Sequence, residues 1–155
     1  MITLIWDMDG TMADLYSVEN WLDYLRQYDP TPYKQAKPMW DMEKLTEVLL
    51  ALENKGVEVK VVSWLSMTTT KVYDGEVRIA KKEWLAQYKF PCQHCHLVKY
   101  GTNKGYYRNK ENLNILIDDN ANVRDQFCQF DNCKAVDPTK IDIIQYLTNL
   151  TDSIG

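Results

Sequence analysis

Two carboxylates one residue apart, Asp7 and Asp9, stand directly after the apolar run Ile2–Trp6 and are followed at once by Gly10-Thr11. Residues i and i+2 of a strand project from one face, but a glycine lets the chain turn immediately. The two acids can therefore approach one reacting centre from different sides, which suits a nucleophile paired with a general acid. A carboxylate can accept a phosphoryl group as an acyl phosphate, a reaction that asks the protein mainly for positioning and charge neutralisation. Asp7 is the candidate nucleophile. Asp9, with a pKa raised by burial or by a neighbouring carboxylate, would protonate the leaving oxygen and later take a proton from water. A second pair, Asp118-Asp119, ends the apolar run Ile115–Ile117. Adjacent strand-end acids repel each other unless a cation sits between them and Asp7, and hard oxygen donors fit Mg²⁺. The plainer alternatives are an Asx-type turn for the first pair and solvated loop acids for the second.

The run Asp7-Met8-Asp9-Gly10-Thr11 after a hydrophobic strand resembles motif I of the haloacid dehalogenase-like phosphatases. Three further matches follow in order. Val57–Val62 ends in Ser63 and is similar to motif II, Lys104 in Tyr100-Gly101-Thr102-Asn103-Lys104 is similar to motif III, and Ile115–Asp119 is similar to motif IV. Together they span roughly residues 1 to 140. The resemblance implies that the Ser63 hydroxyl and the Trp64 backbone N–H hold a phosphate oxygen. It implies that Lys104 neutralises the phosphate and keeps Asp7 ionised. It also implies a Mg²⁺ ion on the Asp7 carboxylate, the Asp9 backbone carbonyl and one motif IV acid, with Asp119 favoured as the direct ligand and Asp118 behind it. Lys99 and Lys110 compete with Lys104; Lys104 is preferred because it falls in a loop after a strand, whereas Lys99 falls within one.

Within that superfamily, Asp7 to Leu15 and the later Lys82-Glu83-Trp84-Leu85 resemble the 5′(3′)-deoxyribonucleotidase branch. Dehalogenases lack the second motif I acid, so Asp9 argues against that branch. The resemblance departs from the branch at Cys92-Gln93-His94-Cys95-His96 and in the shortness of the insertion after motif I.

These residues need strands to place them. Ile2–Trp6, Val57–Val62, His96–Lys99 and Asn114–Ile117 are short apolar runs of the kind that form buried parallel strands, and a brief fifth strand is expected at Lys134–Val136. Amphipathic helical spacing at Met42–Asn54, Gly75–Tyr88, Ala121–Phe130 and Pro138–Leu150 fills the intervals. The alternation predicts an α/β fold, a Rossmann-like doubly wound parallel sheet of about five strands, in one domain over residues 1–155. Residues 15–41 break the rhythm, with a helix expected at Ser17–Tyr28 capped by Ser17. By the resemblance, this insertion after motif I forms a small helical cap. Its Trp21, Tyr24 and Trp40 are candidate base-stacking rings, or else core packing.

Composition bounds the rest. With 155 residues, 45% hydrophobic and 26% charged, the chain can bury about 70% of its unfolded surface without staples. A net charge of −4 leaves no basic footprint for duplex nucleic acid. No apolar run approaches the length of about 18 residues needed for a membrane span, and no signal peptide is read at the N-terminus, so a cytoplasmic location is expected. Cys92-x-x-Cys95 has metal-ligand spacing with His94 and His96 nearby, but Cys128 on a helix and Cys133 before a strand disfavour a closed four-ligand zinc site. Buried free thiols are the favoured reading. The expected function is a Mg²⁺-dependent phosphomonoesterase acting through an aspartyl phosphate on a small phosphorylated substrate, with a nucleotide favoured. The alternatives are binding or degradation of a nucleotide-derived signal, such as one containing ADP-ribose, and action on a phosphorylated nucleic-acid end.

Overall fold

A computed structural model describes all 155 residues. Five parallel strands form the sheet: β1 (Ile2–Trp6), β4 (Glu58–Trp64), β5 (His94–Val98), β6 (Leu113–Ile117) and β7 (Cys133–Val136), in the order β5-β4-β1-β6-β7. The chain runs outward from β1 through β4 to β5, then crosses to β6 on the other side of β1. The order therefore reverses between β1 and β6, and α/β folds bind ligands at the carboxyl ends of strands flanking such a reversal. Trp6 pairs with Ile117 in register. Asp7 and Asp118 thus emerge side by side from neighbouring strands.

The sheet is wound on both faces, unequally. Helices α3 (Met42–Asn54), α4 (Lys71–Gln87) and α6 (Ile143–Ser153) cover one face. There Leu45, Leu49, Val77, Trp84 and Leu147 pack on Leu4, Trp6, Val59 and Ile115 in the main core. On the other face α5 (Ala121–Phe127) sets Val123 and Phe127 against Ile5, Val62, Val98 and Leu116. Helix starts follow their caps. Thr70 accepts from Tyr73 N–H at 3.1 Å, so α4 begins earlier than its apolar spacing predicts. Asp142 accepts from Gln145 N–H at 3.0 Å, and an Asp137 turn holds Thr139 N–H at 2.9 Å. Helix α6 therefore begins later than predicted and extends to Ser153.

Residues 15–41 differ most from the sequence expectation. In place of one helix from Ser17 to Tyr28 there is a 3-10 turn at Leu15–Ser17, then a short α1 (Trp21–Arg26) and α2 (Thr31–Gln35). Asn20 takes a left-handed conformation with φ 60°, a geometry asparagine tolerates, and it breaks the helix where the apolar spacing ran through. The two-residue strands β2 (Ala13–Asp14) and β3 (Lys37–Pro38) pair antiparallel and pinch the insertion at its base.

Two indole N–H groups bind the segment down. Trp40 Nε1 donates to Thr11 O at 2.7 Å, and Trp84 Nε1, from α4, donates to Ala36 O at 2.8 Å. Trp84→Phe keeps a ring but leaves the buried Ala36 carbonyl without its donor, a loss of about 1–3 kcal/mol. Denaturant unfolding of that variant should show a destabilisation in this range.

Candidate active site

Gly10 sets the local geometry. Its φ is +77°, and a Cβ there would stand 2.5 Å from Asp119 Oδ2 and 2.8 Å from the Tyr16 ring, so the turn between Asp9 and Thr11 admits no side chain. That turn brings Thr11 back beneath the acids. Its fully buried hydroxyl lies 3.1 Å from Asp7 Oδ2 and 3.2 Å from Asp119 Oδ1, and it accepts from Asp119 N–H at 3.1 Å.

Lys104 opens a 3-10 turn (Lys104–Tyr107) in the loop after β5 and is 3% exposed. Its Nζ donates to Asp7 Oδ1 at 2.8 Å and to Asp118 Oδ2 at 2.7 Å. Burial pulls the pKa of this ammonium down, but the carboxylates of Asp7 and Asp118 outweigh it and hold the group above its ordinary range. Lys99 and Lys110 are both exposed on the surface.

Oxygens of Asp7, Asp118 and Asp119 lie within 4.8 Å of one another, the only group of three His, Cys, Asp or Glu side chains in the protein that converges so closely. Burial first, then the charge of Asp7, pushes Asp118 up to about 6 against the opposing charge of Lys104. Burial, then Asp7 and Asp118, pushes Asp119 up to about 7. Three hard oxygen donors whose mutual repulsion favours protonation are a set that a divalent cation would relieve, so the residues fit Mg²⁺. Asp118 already has Oδ2 engaged by Lys104 and Oδ1 by Asn120 N–H at 2.9 Å, whereas Asp119 is less buried and less occupied.

Asp9 points to a second buried lysine that the sequence reading missed. Lys81 Nζ, on α4, donates to Asp9 Oδ2 at 2.9 Å, to Ser63 Oγ at 2.7 Å and to Trp64 O at 2.8 Å, so its three protons are all used. Burial raises the pKa of Asp9, Lys81 opposes the rise and Asp7 adds to it; the net shift is upward. The signal for Lys81 was present: it follows Val77 by four and precedes Leu85 by four, inside the apolar stripe of α4.

A cavity of about 320 Å³ opens on Asp7, Asp9, Lys104, Asp118 and Asp119. Of the cap rings, Trp21 lines it, joined by Tyr16 and Tyr33. Tyr24 instead borders a separate shallow depression with Asn20, Asp23 and Gln27, and Trp40 faces the core beside Thr11, so neither reaches the cavity. Ser63 is fully buried within β4, with its oxygen taken by Lys81, because the strand runs one residue past it and Leu65 N–H still donates to Val98 O at 2.7 Å. The loop hydroxyls facing the cavity are those of Ser66 and Thr68. Trp64 also lines the cavity, with its ring centroid 5.6 Å from Lys104 Nζ. Arg26 also lines the cavity, is exposed, and takes part in no ion pair of the protein. The four cysteines are free, as expected, but none is buried: Cys92, Cys95 and Cys133 are half-buried and Cys128 is exposed, because they lie at or beside the edge strands and at the end of α5 and not in the core. His94 and His96 stack on each other, and the Tyr107 ring tilts against His96. No helix is long and apolar enough to cross a membrane.

No family model matches the chain, and no curated protein does. Among solved structures, D,D-heptose 1,7-bisphosphate phosphatase from Burkholderia thailandensis is similar with a TM-score of 0.56, over 97% of this chain and 98% of that one, at 8% sequence identity. At that identity the likeness is one of fold, and it agrees with the parallel five-stranded sheet and its flanking helices.

Asp118 and Asp119 hold protons more tightly in the folded chain than in the unfolded one. Their contribution to stability is therefore present below the ordinary Asp pKa of about 4 and is lost as pH rises through about 6 to 7. A cation bound to the ionised acids restores it. Mg²⁺ should raise the melting temperature clearly at about pH 8 and much less near pH 5, where protons occupy the site. Calorimetry with and without Mg²⁺ at the two pH values checks this, and Asp119→Asn should remove most of the difference.

Proposed function

We propose that the protein is a Mg²⁺-dependent phosphomonoesterase acting through an aspartyl phosphate on Asp7, with a nucleotide as substrate. One observation carries the reading: the nucleophile candidate, the acid candidate, a buried lysine and a three-carboxylate cluster meet in one cavity at the strand-order reversal, with Lys104 Nζ 2.8 Å from Asp7 Oδ1. The fold of a bisphosphate phosphatase adds support at the level of architecture, since fold alone does not assign chemistry.

In this reading an Asp7 oxygen attacks phosphorus, the bond to the ester oxygen breaks, and Asp9 gives that oxygen its proton. Burial raises the pKa of Asp9 against the opposing charge of Lys81, a shift in the direction that this proton transfer needs. Water then attacks the aspartyl phosphate, Asp9 takes the water proton, and phosphate leaves with Asp7 regenerated. Lys104, paired with Asp7, offers positive charge to the phosphoryl oxygens, while Trp64 N–H and the Ser66 and Thr68 hydroxyls of the loop beyond β4 would border the phosphate position in place of the buried Ser63. Mg²⁺, held by Asp7, Asp119 and the Asp9 carbonyl with Asp118 behind, would supply charge neutralisation for the transferring group.

The nucleotide assignment is supported by an aromatic cavity lining, Tyr16, Trp21, Tyr33, Trp64 and Tyr100, which suits a planar leaving group. A variant of this reading is favoured by Arg26, an unpaired guanidinium on the same cavity: a nucleotide-derived substrate with a second anionic group, which Arg26 would bind in bidentate fashion. The structural neighbour's own name specifies a bisphosphate.

Phosphate release should be measured over nucleoside monophosphates, nucleoside bisphosphates, ADP-ribose and sugar phosphates, with and without Mg²⁺. Nucleotides should lead, chelation should abolish turnover, and Asp7→Asn should remove it while the protein stays folded by circular dichroism. Turnover by Asp7→Asn at the wild-type rate would exclude Asp7 as nucleophile. Arg26→Gln should lower kcat/KM for bisphosphates by about tenfold relative to monophosphates, the loss of one charge-assisted contact; an equal effect on both returns the monophosphate reading.

A further inference from the structure

Base recognition in an enclosed phosphatase site is easily assigned to the cap, yet only one of the three cap rings singled out from sequence reaches this cavity. The core side offers a better-ordered surface. Trp64 ends β4, and its indole packs against the side cluster of Ile5, Val62 and Val98 while lining the cavity. Its Nε1–H donates to Thr102 O at 2.8 Å, which fixes the rotation of the ring. Tyr100, on the loop after β5, leans on it with ring centroids 4.8 Å apart and planes at 56°. Tyr100 is 47% exposed and borders the same cavity. An aromatic ring half in water at a cavity mouth leaves apolar surface that a ligand can still cover.

Lys104 sets the distance of this surface from the chemistry. Its Nζ is 2.8 Å from Asp7 Oδ1 and 5.6 Å from the centroid of the Trp64 ring. The indole therefore stands beside the ammonium that would neutralise a phosphoryl group, within reach of the ester's leaving group. The tie to Thr102 means that little side-chain freedom remains to be lost when a ligand stacks there.

We infer that the Trp64–Tyr100 pair is the stacking wall for the planar ring of the leaving group, so that selection among phosphate esters is made by the core side of the cavity and not by the cap alone. The inference rests on the nucleotide reading for the identity of that ring, and on the ring geometry for its place.

The test is the ratio of kcat/KM for a nucleoside 5′-monophosphate to that for ribose 5-phosphate, which is the same ester without the base. Base–aromatic stacking of about 1–3 kcal/mol corresponds to roughly a 5- to 150-fold change. In Trp64→Leu and in Tyr100→Leu the ratio should fall at least fivefold, and Trp64→Phe, which keeps a ring, should recover most of it. A ratio that stays at the wild-type value while both substrates decline together would show Trp64 to be a prop for Lys104 and overturn the inference. Tyr100→Leu, a change at a half-exposed side chain, keeps the test decisive if Trp64→Leu does not fold. A wild-type enzyme that uses ribose 5-phosphate as well as the nucleotide defeats the nucleotide reading itself. In that event the ratio for 2-naphthyl over cyclohexyl phosphate, measured in the same variants, decides for the wall if it falls and against it if it does not.

Discussion

Three carboxylates held against two buried ammonium groups are the constraint around which this protein is arranged. Lys104 answers Asp7 and Asp118, and Lys81 answers Asp9. Taking such charges out of water costs several kcal/mol per ion, and the attraction offsets this only when every hydrogen-bonding position is filled. Here Lys81 fills its three with Asp9, Ser63 and Trp64 O. Lys104 has two acids and keeps a face toward the cavity. The fully engaged lysine holds architecture, and the partly engaged one is available to a ligand.

That arrangement explains why the surroundings are so tightly bound. Asp7 and Asp118 must leave β1 and β6 at the same height, which the parallel register provides. Thr11 must return under them, which the left-handed Gly10 allows. Lys81 must arrive from across the main core, so α4 carries a lysine in the middle of its apolar face, with Trp84 anchoring the same helix to the cap through Ala36. Acids, sheet and cap are thereby mechanically linked: a shift of α4 moves Asp9, Ser63 and the cap together.

The cavity that results has two characters. Its floor is ionic, with carboxylates whose pKa values burial and mutual repulsion lift toward neutrality. Its walls are aromatic and apolar, and they come from both the insertion and the core. An ester with a compact charged end and a flat uncharged body matches both.

The strands, and the acids at their ends, were legible from sequence because their signals are local: a short apolar run, then Asp-x-Asp-Gly or Asp-Asp. Helix α3 was likewise set by its own spacing, between the Asp41 cap and Lys55. Lys104 was picked out from its rivals by loop position and by resemblance to a motif, but only the fold shows its 2.8 Å approach to Asp7, a contact between residues 97 apart in the chain. Lys81 was legible only as an anomaly in a stripe, since its partners lie 72 and 18 residues away. The cap defeated periodicity, because a single asparagine in a left-handed conformation divides what the apolar spacing joins. Which rings face the cavity could not be read from ring content either: Trp21, Tyr24 and Trp40 are chemically alike, and their directions depend on where the short helix breaks and where each indole finds a carbonyl. Sequence by itself determined the α/β class and the acids available for chemistry, both matters of neighbouring residues. The tertiary structure decided how those acids are neutralised and what surrounds them, because buried charge and aromatic contact depend on residues that only folding brings together.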